Sequence, residues 1–507
     1  MAVTETLEVE RKFDVGGSDE LPVFTSIAGV DRVGTAAEHK LHAVYFDTAT
    51  LALAACRITL RRRTGGKDAG WHLKVPVAAG ERREITKPLN EDPDSVPARL
   101  KELVLVHTRN QELVAVAELK TRRTAIPLIA ADGTVLAEFS DDRVESRILL
   151  EPAESAAWRE WEIELVDGTR RLLEAADVVI AMLGHQPAEL PSKLARALGG
   201  RYPGGGPPIP RPALQGRASA VLLSYLREQV QALKTHDPGV REGAPDAVHQ
   251  LRVAARRMRS VLASFRSLTD KETARLLREE LQWLAGAVGA ARDLEVMRDH
   301  LDGLISAEPP DLIIGSVKHQ LDDQLGAAYE AALADGLAAL ESDRYFRLLD
   351  ALDGFLAAPP LAGPAHKKAP GTIGRLVNAD RKRLSGAVKS LEDAPAGEAA
   401  NAALHEVRKS AKRLRYAAEA AVPIFGKQAA RLARTAAVIQ TVLGEHQDSV
   451  IIRERLRSLA REFPEGGSGT GFTYGRLHAL EQQRGADART RFFRTWRKSP
   501  PKPLHWK

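Results

Sequence analysis

Glu8-Val9-Glu10-Arg11-Lys12 is the stretch that decides the fold of the N-terminal part of this chain. In an extended strand successive side chains point to opposite faces. Glu8, Glu10 and Lys12 therefore share one face, and Leu7, Val9 and Arg11 share the other. The pattern returns at Glu160-Trp161-Glu162-Ile163-Glu164-Leu165, with three carboxylates on one face and Trp161, Ile163 and Leu165 on the other. A half-buried strand with its polar face in water accounts for either segment alone.

The segments between them carry the opposite sign. Leu60-Arg61-Arg62-Arg63 puts Arg61 and Arg63 on one face, and Trp71-His72-Leu73-Lys74-Val75 puts Lys74 on a face with His72. Arg82-Arg83-Glu84-Ile85 alternates charge, and Leu119-Lys120-Thr121-Arg122-Arg123 puts Lys120 and Arg122 on one side. Phe139-Ser140-Asp141-Asp142-Arg143 adds acid. If these faces converge inside a closed sheet, the interior holds several bases beside several acids, and burying such groups unpaired costs several kcal/mol each. A polyanion neutralises the bases and a divalent cation the acids. Hard cations take oxygen ligands, and guanidinium groups grip phosphate with two hydrogen bonds. The inventory points to a metal-assisted phosphate site inside a barrel.

The constellation resembles the CYTH family, the triphosphate tunnel metalloenzymes, whose signature Glu-x-Glu-x-Lys is matched by Glu8, Glu10 and Lys12. The match continues in family order through Tyr45-Phe46-Asp47-Thr48, Arg61 and Arg63, Lys74, Glu84, Lys120 and Arg122, Asp142 and the Glu160/Glu162/Glu164 strand. It ends at Pro191-Ser192-Lys193-Leu194. Glu84-Ile85-Thr86 departs from the Glu-x-Glu pair of many relatives. The resemblance implies an eight-stranded antiparallel tunnel that grips a triphosphate and holds one or two Mg²⁺ or Mn²⁺ ions. By that resemblance Glu8, Glu10, Asp142, Glu160, Glu162 and Glu164 are the metal set. Glu8, Glu10, Lys12 and Lys74 are the catalytic set, and Arg61, Arg63, Lys120, Arg122 and Lys193 hold phosphates beside Lys12 and Lys74. Arg62, Arg82, Arg83 and Arg123 are expected on a solvated outer face.

A chain of 507 residues has room for about three domains. Its one cysteine, Cys56, permits no intramolecular disulfide and is expected as a small core residue. The N-terminus has no apolar h-region, and no apolar run is long enough to span a bilayer. The cytoplasm is the expected location, with polyphosphate granules a further possibility. Charge is split: residues 1–200 hold 26 Lys and Arg against 32 Asp and Glu, so of the chain's net +6 the remainder carries +12. A basic half joined to an acidic enzyme half points to a polyanionic partner. Gly199-Gly200-Arg201-Tyr202-Pro203-Gly204-Gly205-Gly206-Pro207-Pro208-Ile209-Pro210 admits neither helix nor central strand. The organisation read from this is a domain at 1–200, a linker at 201–212 and a domain at 213–507.

Beyond the linker the period changes to about 3.6. Residues 213–233, 246–268, 271–288, 293–304 and 313–340 read as amphipathic helices, a Pro-rich break spans 357–371, and helical pattern resumes to about residue 463. This all-α region is duplicated, with repeats at about 213–356 and 372–500. His249, Arg252, Arg256 and Arg259 return as His405, Arg408, Lys412 and Arg415 at a constant offset of 156. Gly289 and Asp293 return as Gly444 and Asp448 at 155. The spacings i, i+3, i+7 and i+10 set the His and three bases along one helix face. A single basic face is ordinarily solvated surface, but two in identical register form a ladder suited to a chain of phosphates. The tail Arg491-Phe492-Phe493-Arg494-Thr495-Trp496-Arg497-Lys498 is expected to pack as a last helix.

This half resembles the CHAD family, the conserved-histidine α-helical domains, which are built from two four-helix bundles and often follow CYTH domains. The resemblance implies inorganic polyphosphate binding in a basic groove between the halves, by His249, Arg252, Arg256, Arg259, His405, Arg408, Lys412 and Arg415. Nucleic acid is disfavoured, because the basic helices carry few aromatics for stacking and no base-reading motif.

The expectation is an α+β multidomain chain with a β tunnel followed by two duplicated four-helix bundles. The tunnel is expected to hydrolyse inorganic tripolyphosphate to pyrophosphate and phosphate, and the helical half to bind long-chain polyphosphate. Thiamine triphosphatase, adenylate cyclase (ranked last for want of an adenine-binding motif) and a non-catalytic polyphosphate scaffold are the alternatives.

Overall fold

Nine β-strands form one antiparallel sheet in a computed structural model that describes residues 4–78, 80–89, 92, 95–203, 211–462 and 469–506. They are β1 (Thr4–Val15), β2 (Arg32–Val33), β3 (Ala37–Asp47), β4 (Thr59–Thr64), β5 (Gly70–Ala78), β6 (Glu81–Lys87), β7 (Val114–Ile129), β8 (Val135–Ile148) and β9 (Ser155–Leu165). The order β7-β3-β4-β5-β6-β1-β9-β8 closes through a β7–β8 pairing into an eight-stranded barrel, with the two-residue β2 appended to β7. Closure removes the exposed edges that would otherwise template aggregation. Four helices accompany it: α1 (Ala52–Ala55), α2 (Ala98–Thr108), α3 (Arg170–Met182) and α4 (Lys193–Leu198).

The barrel inverts the usual arrangement, with charge inside and its apolar core outside. Phe13 of β1 and Trp161 and Ile163 of β9 are fully buried against Leu172, Leu173, Ala176 and Ile180 of α3. Leu60, Trp71, Leu73 and Ile85 are buried against Leu100, Leu103 and Val104 of α2. Each such fully buried large side chain contributes about 1.5–3 kcal/mol. The β4–β5 turn needs glycine at Gly65, where φ is +78° and a Cβ would lie 2.1 Å from the Lys40 carbonyl oxygen. Asp47 is fully buried and accepts hydrogen bonds from the backbone N–H of Thr48, Leu53 and Ala54, so it anchors the start of α1. Cys56 is half-buried at the margin of the α2-side core rather than inside it.

The chain divides into two compact units, Met1–Gly206 and Pro207–Lys507. Of the linker expected at 201–212, residues 204–210 lie outside the described residues, as does residue 463, the expected end of the later helical pattern. The second unit is helical: α5 (Ala218–Arg241), α6 (Ala247–Ser264), α7 (Lys271–Ala287), α8 (Gly289–Ala307), α9 (Val317–Glu341), α10 (Asp343–Ala357), α11 (Ala369–Glu392), α12 (Glu398–Ala420), α13 (Val422–Phe425), α14 (Lys427–Glu462) and α15 (Thr470–Lys498). The repeated basic motifs lie on α6 and α12, which pack together. The repeats differ at this helix: α7 and α8 meet at Val288, whereas the corresponding stretch of the second repeat is the single 36-residue α14. Leu301, Ile305, Val317, Leu321 and Leu325 of α8 and α9 form one core with Ile452, Leu456, Leu459, Tyr474 and Leu477 of α14 and α15. The basic-aromatic tail is the last part of α15, with Phe492 fully buried. Among the described residues no helix is long and apolar enough to cross a membrane.

Candidate functional site

The barrel encloses a cavity of about 160 Å³. Period two sends Glu8, Glu10 and Lys12 inward from β1, Arg61 and Arg63 from β4, Lys74 from β5 and Glu162 and Glu164 from β9. Lys193 enters from α4, where the Ser192 hydroxyl accepts the Ala195 N–H at 3.1 Å and fixes the start of the helix. Asp142 and Glu160 are buried beside them.

Glu162 is the hub of the ionic web. It accepts from Lys12, from Lys193 at 2.6 Å and from Arg123 at 2.5 Å. Burial opposes its ionisation, but these three cations outweigh burial and hold the carboxyl well below its usual range. Lys193 also reaches Asp142 and Glu160, each at 2.8 Å, and those carboxylates raise its pKa despite burial. Lys12 likewise lies 2.8 Å from Glu10 and is raised by Glu10 and Glu162. Lys74 pairs with Glu8 at 2.5 Å and Glu84 at 3.5 Å. Burial disfavours the Glu84 charge, but the His72 hydrogen bond at 2.9 Å and the Lys74 charge hold the carboxyl low, while desolvation pushes His72 down to about 4. Arg61 donates to the Tyr45 hydroxyl at 3.3 Å, and Arg63 pairs with Asp68 at the β4–β5 turn. Among the described residues, the buried Nε atoms of Arg61 and Arg63 have no hydrogen-bond partner.

Two carboxylate groups suit a hard divalent ion, since both offer only oxygen donors. Asp142, Glu160 and Glu162 bring one oxygen each within 4.8 Å of one another, and there the Lys193 ammonium stands where a cation would. The other group has no such neutraliser for all its members. Glu10 sits opposite Glu164 across the β1–β9 pair, and burial and then the Glu8 charge push Glu164 up to about 7. Glu8 Oε2 is buried and has no hydrogen-bond partner among the described residues. Among the described residues, Asp142, Glu160 and Glu162 are the group whose oxygens lie close enough to share one ion, while Glu8, Glu10 and Glu164 line the cavity with Lys74 on Glu8 and Lys12 on Glu10.

Three expectations about side-chain direction are corrected. Lys120 and Arg122 are exposed on the outer face of β7, and Arg123 lines the cavity in their stead with Thr121. Arg82 also lines the cavity and donates to the Pro191 carbonyl. In the second unit, Arg415 pairs with Glu419 one turn along α12 at 2.8 Å and does not line the groove. Arg62 and Arg83 stay out of the cavity lining, and Arg83 faces Glu5 at 3.5 Å. The Arg82 signal was available, because Arg82 shares a face with Glu84. The β7 run offered none, because Leu119 is the inward residue that breaks the rule of charge inside.

The second unit carries a groove of about 1130 Å³ between its repeats, lined from α6 by His249, Arg252, Arg256 and Arg259 and from α12 by His405, Arg408, Lys412 and Arg413. Arg278, Arg292, Arg383 and Arg484, outside the repeated motifs, extend the basic lining. Arg252 holds Asp293 with two hydrogen bonds of 2.8 and 3.1 Å, Arg256 donates to the Tyr416 hydroxyl at 2.9 Å, and Arg259 donates to Gln282. His405 Nδ1 lies 2.7 Å from Gln447 Oε1. The repeated glycines lie against the repeated arginines: a Cβ on Gly289 would come within 2.8 Å of Arg252, and one on Gly444 within 3.7 Å of Arg408.

Residues 6–188 match the family model for the CYTH domain, and residues 224–457 match that for the CHAD domain. The uncharacterised protein Rv2226 of Mycobacterium tuberculosis is 42% identical over 490 residues, covering 94% of this chain and 93% of its own. Among solved structures, PptA from Streptomyces chartreusis is 25% identical, covers 56% of this chain and 100% of its own, and has a TM-score of 0.46. The CHAD domain of the plant Ricinus communis is 24% identical over 59% of this chain and 98% of its own, with a TM-score of 0.47.

Proposed function

This chain belongs to the CYTH and CHAD families, carrying one domain of each in that order, and from that membership we propose that it is a metal-dependent triphosphatase whose helical unit binds polyphosphate. The first unit hydrolyses inorganic tripolyphosphate to pyrophosphate and phosphate. The observation that carries the reading is the charged interior of a closed barrel, where Lys12, Arg61, Arg63, Lys74, Arg123 and Lys193 face buried carboxylates. Inorganic substrate is favoured because the small cavity offers no apolar platform for an organic group beyond Leu41, Ala43, Leu119 and the ring of Tyr45.

Glu8, Glu10 and Glu164 are the residues that would hold Mg²⁺ or Mn²⁺, with Glu162, Glu160 and Asp142 as the neighbouring set. Such an ion would offset charge that develops on phosphate oxygens and would lower the pKa of bound water. The chain's own cations do the gripping. The buried Nε atoms of Arg61 and Arg63, which have no hydrogen-bond partner among the described residues, are donors suited to an anion. Lys12, Lys193 and Arg123 hold Glu162 ionised, which keeps their own charges fixed beside the phosphate chain.

In the second unit the two basic helix faces line one groove, and that shared lining supports a linear polyphosphate as ligand. The test is a comparison of phosphate release from tripolyphosphate, thiamine triphosphate, ATP and long-chain polyphosphate with Mg²⁺, Mn²⁺ or EDTA. Preference for tripolyphosphate with full loss in EDTA is expected. Polyphosphate retention without turnover of any substrate would make the barrel a holding site.

A further inference from the structure

Of the two lysines that line the groove, Lys409 pairs with Glu406 at 2.6 Å and Lys412 does not have such a partner among the described residues. Arg252 is neutralised by Asp293, Arg413 by Asp380 at 2.8 Å, and Arg256 and Arg259 have hydrogen-bond acceptors. No carboxylate among the described residues lies within ion-pair distance of the Lys412 ammonium. Its charged neighbours are Arg408 on its own helix and Arg256, Arg259 and Arg252 on α6, all positive. Guanidinium groups keep their protons at any ordinary pH, whereas an amine can lose its own. The first repeat has Arg256 at the matching position, so the second repeat replaces a permanent cation with a removable one.

Burial leads, and the guanidinium charges of Arg408, Arg256, Arg259 and Arg252 add to it; together they push Lys412 down to about 7. The groups on the other elements packed against α12 do not relieve it. On α14, Asp448 faces Arg408 and Arg484; on α11, Asp380 is held by Arg413, with Arg383 beside it. On α8, Asp293 is held by Arg252; on α5, Tyr225 donates to Glu419; and α13 carries no titratable side chain. His249 and His405 also line the groove.

We propose that the groove takes up a proton when it takes up its polyanion, with the Lys412 amine as the acceptor. The inference rests on the polyphosphate-binding reading above. A phosphate chain laid along the groove brings negative charge to the four guanidinium groups and removes the repulsion that expels the proton. The bound state then holds one proton more than the free state over the pH range between the two pKa values. Linkage sets the sign: affinity is greatest at and below neutrality and falls as pH rises, by about tenfold per pH unit at most. Lys412 therefore makes polyanion binding pH-sensitive in a range where arginine would not.

The test is titration calorimetry of the full chain with polyphosphate of defined length at pH 8 and constant ionic strength, in two buffers of different ionisation enthalpy. The wild-type protein is expected to take up a clear fraction of one proton per binding event, roughly half or more. Lys412→Arg should bind with uptake near zero, and its Kd should vary less than about twofold from pH 7.5 to 9 while that of the wild type weakens about tenfold or more. The variant retains His249 and His405, so any slope they generate survives in it. Wild-type binding without proton uptake, or equal uptake in Lys412→Arg, overturns the linkage alone. No binding by either protein at any pH overturns the reading of the groove and the linkage with it.

Discussion

Arg123 of β7 and Asp142 of β8 stand directly opposite in the strand register and form a two-pronged ion pair, Nε to Oδ1 at 2.8 Å and Nη2 to Oδ2 at 2.7 Å. The pair ties an inward arginine to the hub, since Arg123 also reaches Glu162. Arg123→Ala is expected to lower kcat/KM for tripolyphosphate by about 100-fold or more, the usual cost of removing one preorganised donor to developing charge. Arg122→Ala, on the outer face, should stay within about twofold of wild type. Initial rates of phosphate release from the two variants check this.

Asp142 and Glu10 should separate stability from chemistry. Asp142 is fully buried between Arg123 and Lys193, so Asp142→Ala leaves two buried cations short of an anion. The expected loss is about 3–5 kcal/mol. Glu10→Gln keeps shape and hydrogen bonding, and should abolish metal-dependent hydrolysis while its urea midpoint stays close to wild type. Paired denaturation curves and rates decide it.

Glu164 gives a pH-dependent signature in metal-free protein. Burial and the Glu8 charge raise its carboxyl from 4.5 to about 7, so folded protein holds that proton more tightly than unfolded protein. Stability is therefore lost as pH rises from 4.5 towards 7, and the full penalty persists above. Glu164→Gln should raise Tm at pH 8, by about 2–4 °C for each kcal/mol relieved, and leave it unchanged at pH 4. Added Mg²⁺ should stabilise wild type more than the variant. Scanning calorimetry at both pH values, with EDTA and with Mg²⁺, measures this.

For the groove, Arg252→Ala with Arg408→Ala should weaken polyphosphate binding by about 100-fold at low salt, from two lost charge-assisted contacts of about 1.5 kcal/mol each. Arg415→Ala should change it less than about twofold, because Arg415 does not line the groove. Fluorescence anisotropy with labelled polyphosphate compares them, and equal losses would remove Arg252 and Arg408 from the binding face.

Much of this was legible in the sequence for a physical reason. Period-two alternation at Glu8, Glu10 and Lys12 and at Glu160, Glu162 and Glu164 is written by the barrel wall itself, since the outward residues Phe13, Trp161 and Ile163 had to be apolar to pack under α3. Lys120, Arg122 and Arg123 failed because inner and outer faces of β7 both carry charge there, and only the pairing of Arg123 with Asp142 fixes which is which. Register between strands is a tertiary property. The offset of 156 located the paired helices α6 and α12, and the fate of Arg415 was also legible, in Glu419 four residues further on, which the repeat pattern leaves out. The role of Lys193 as the cation of the Asp142, Glu160 and Glu162 group was hidden, because α4 brings it from far along the chain.

The most direct test of the central claim is a ³¹P NMR time course of full-length protein with inorganic tripolyphosphate and Mg²⁺. Pyrophosphate and orthophosphate rising together in equal amounts, stopped by EDTA and absent in Glu10→Gln, is the predicted result. Tripolyphosphate that stays intact, or is consumed as fast in Glu10→Gln as in wild type, would contradict a metal-dependent triphosphatase in this barrel.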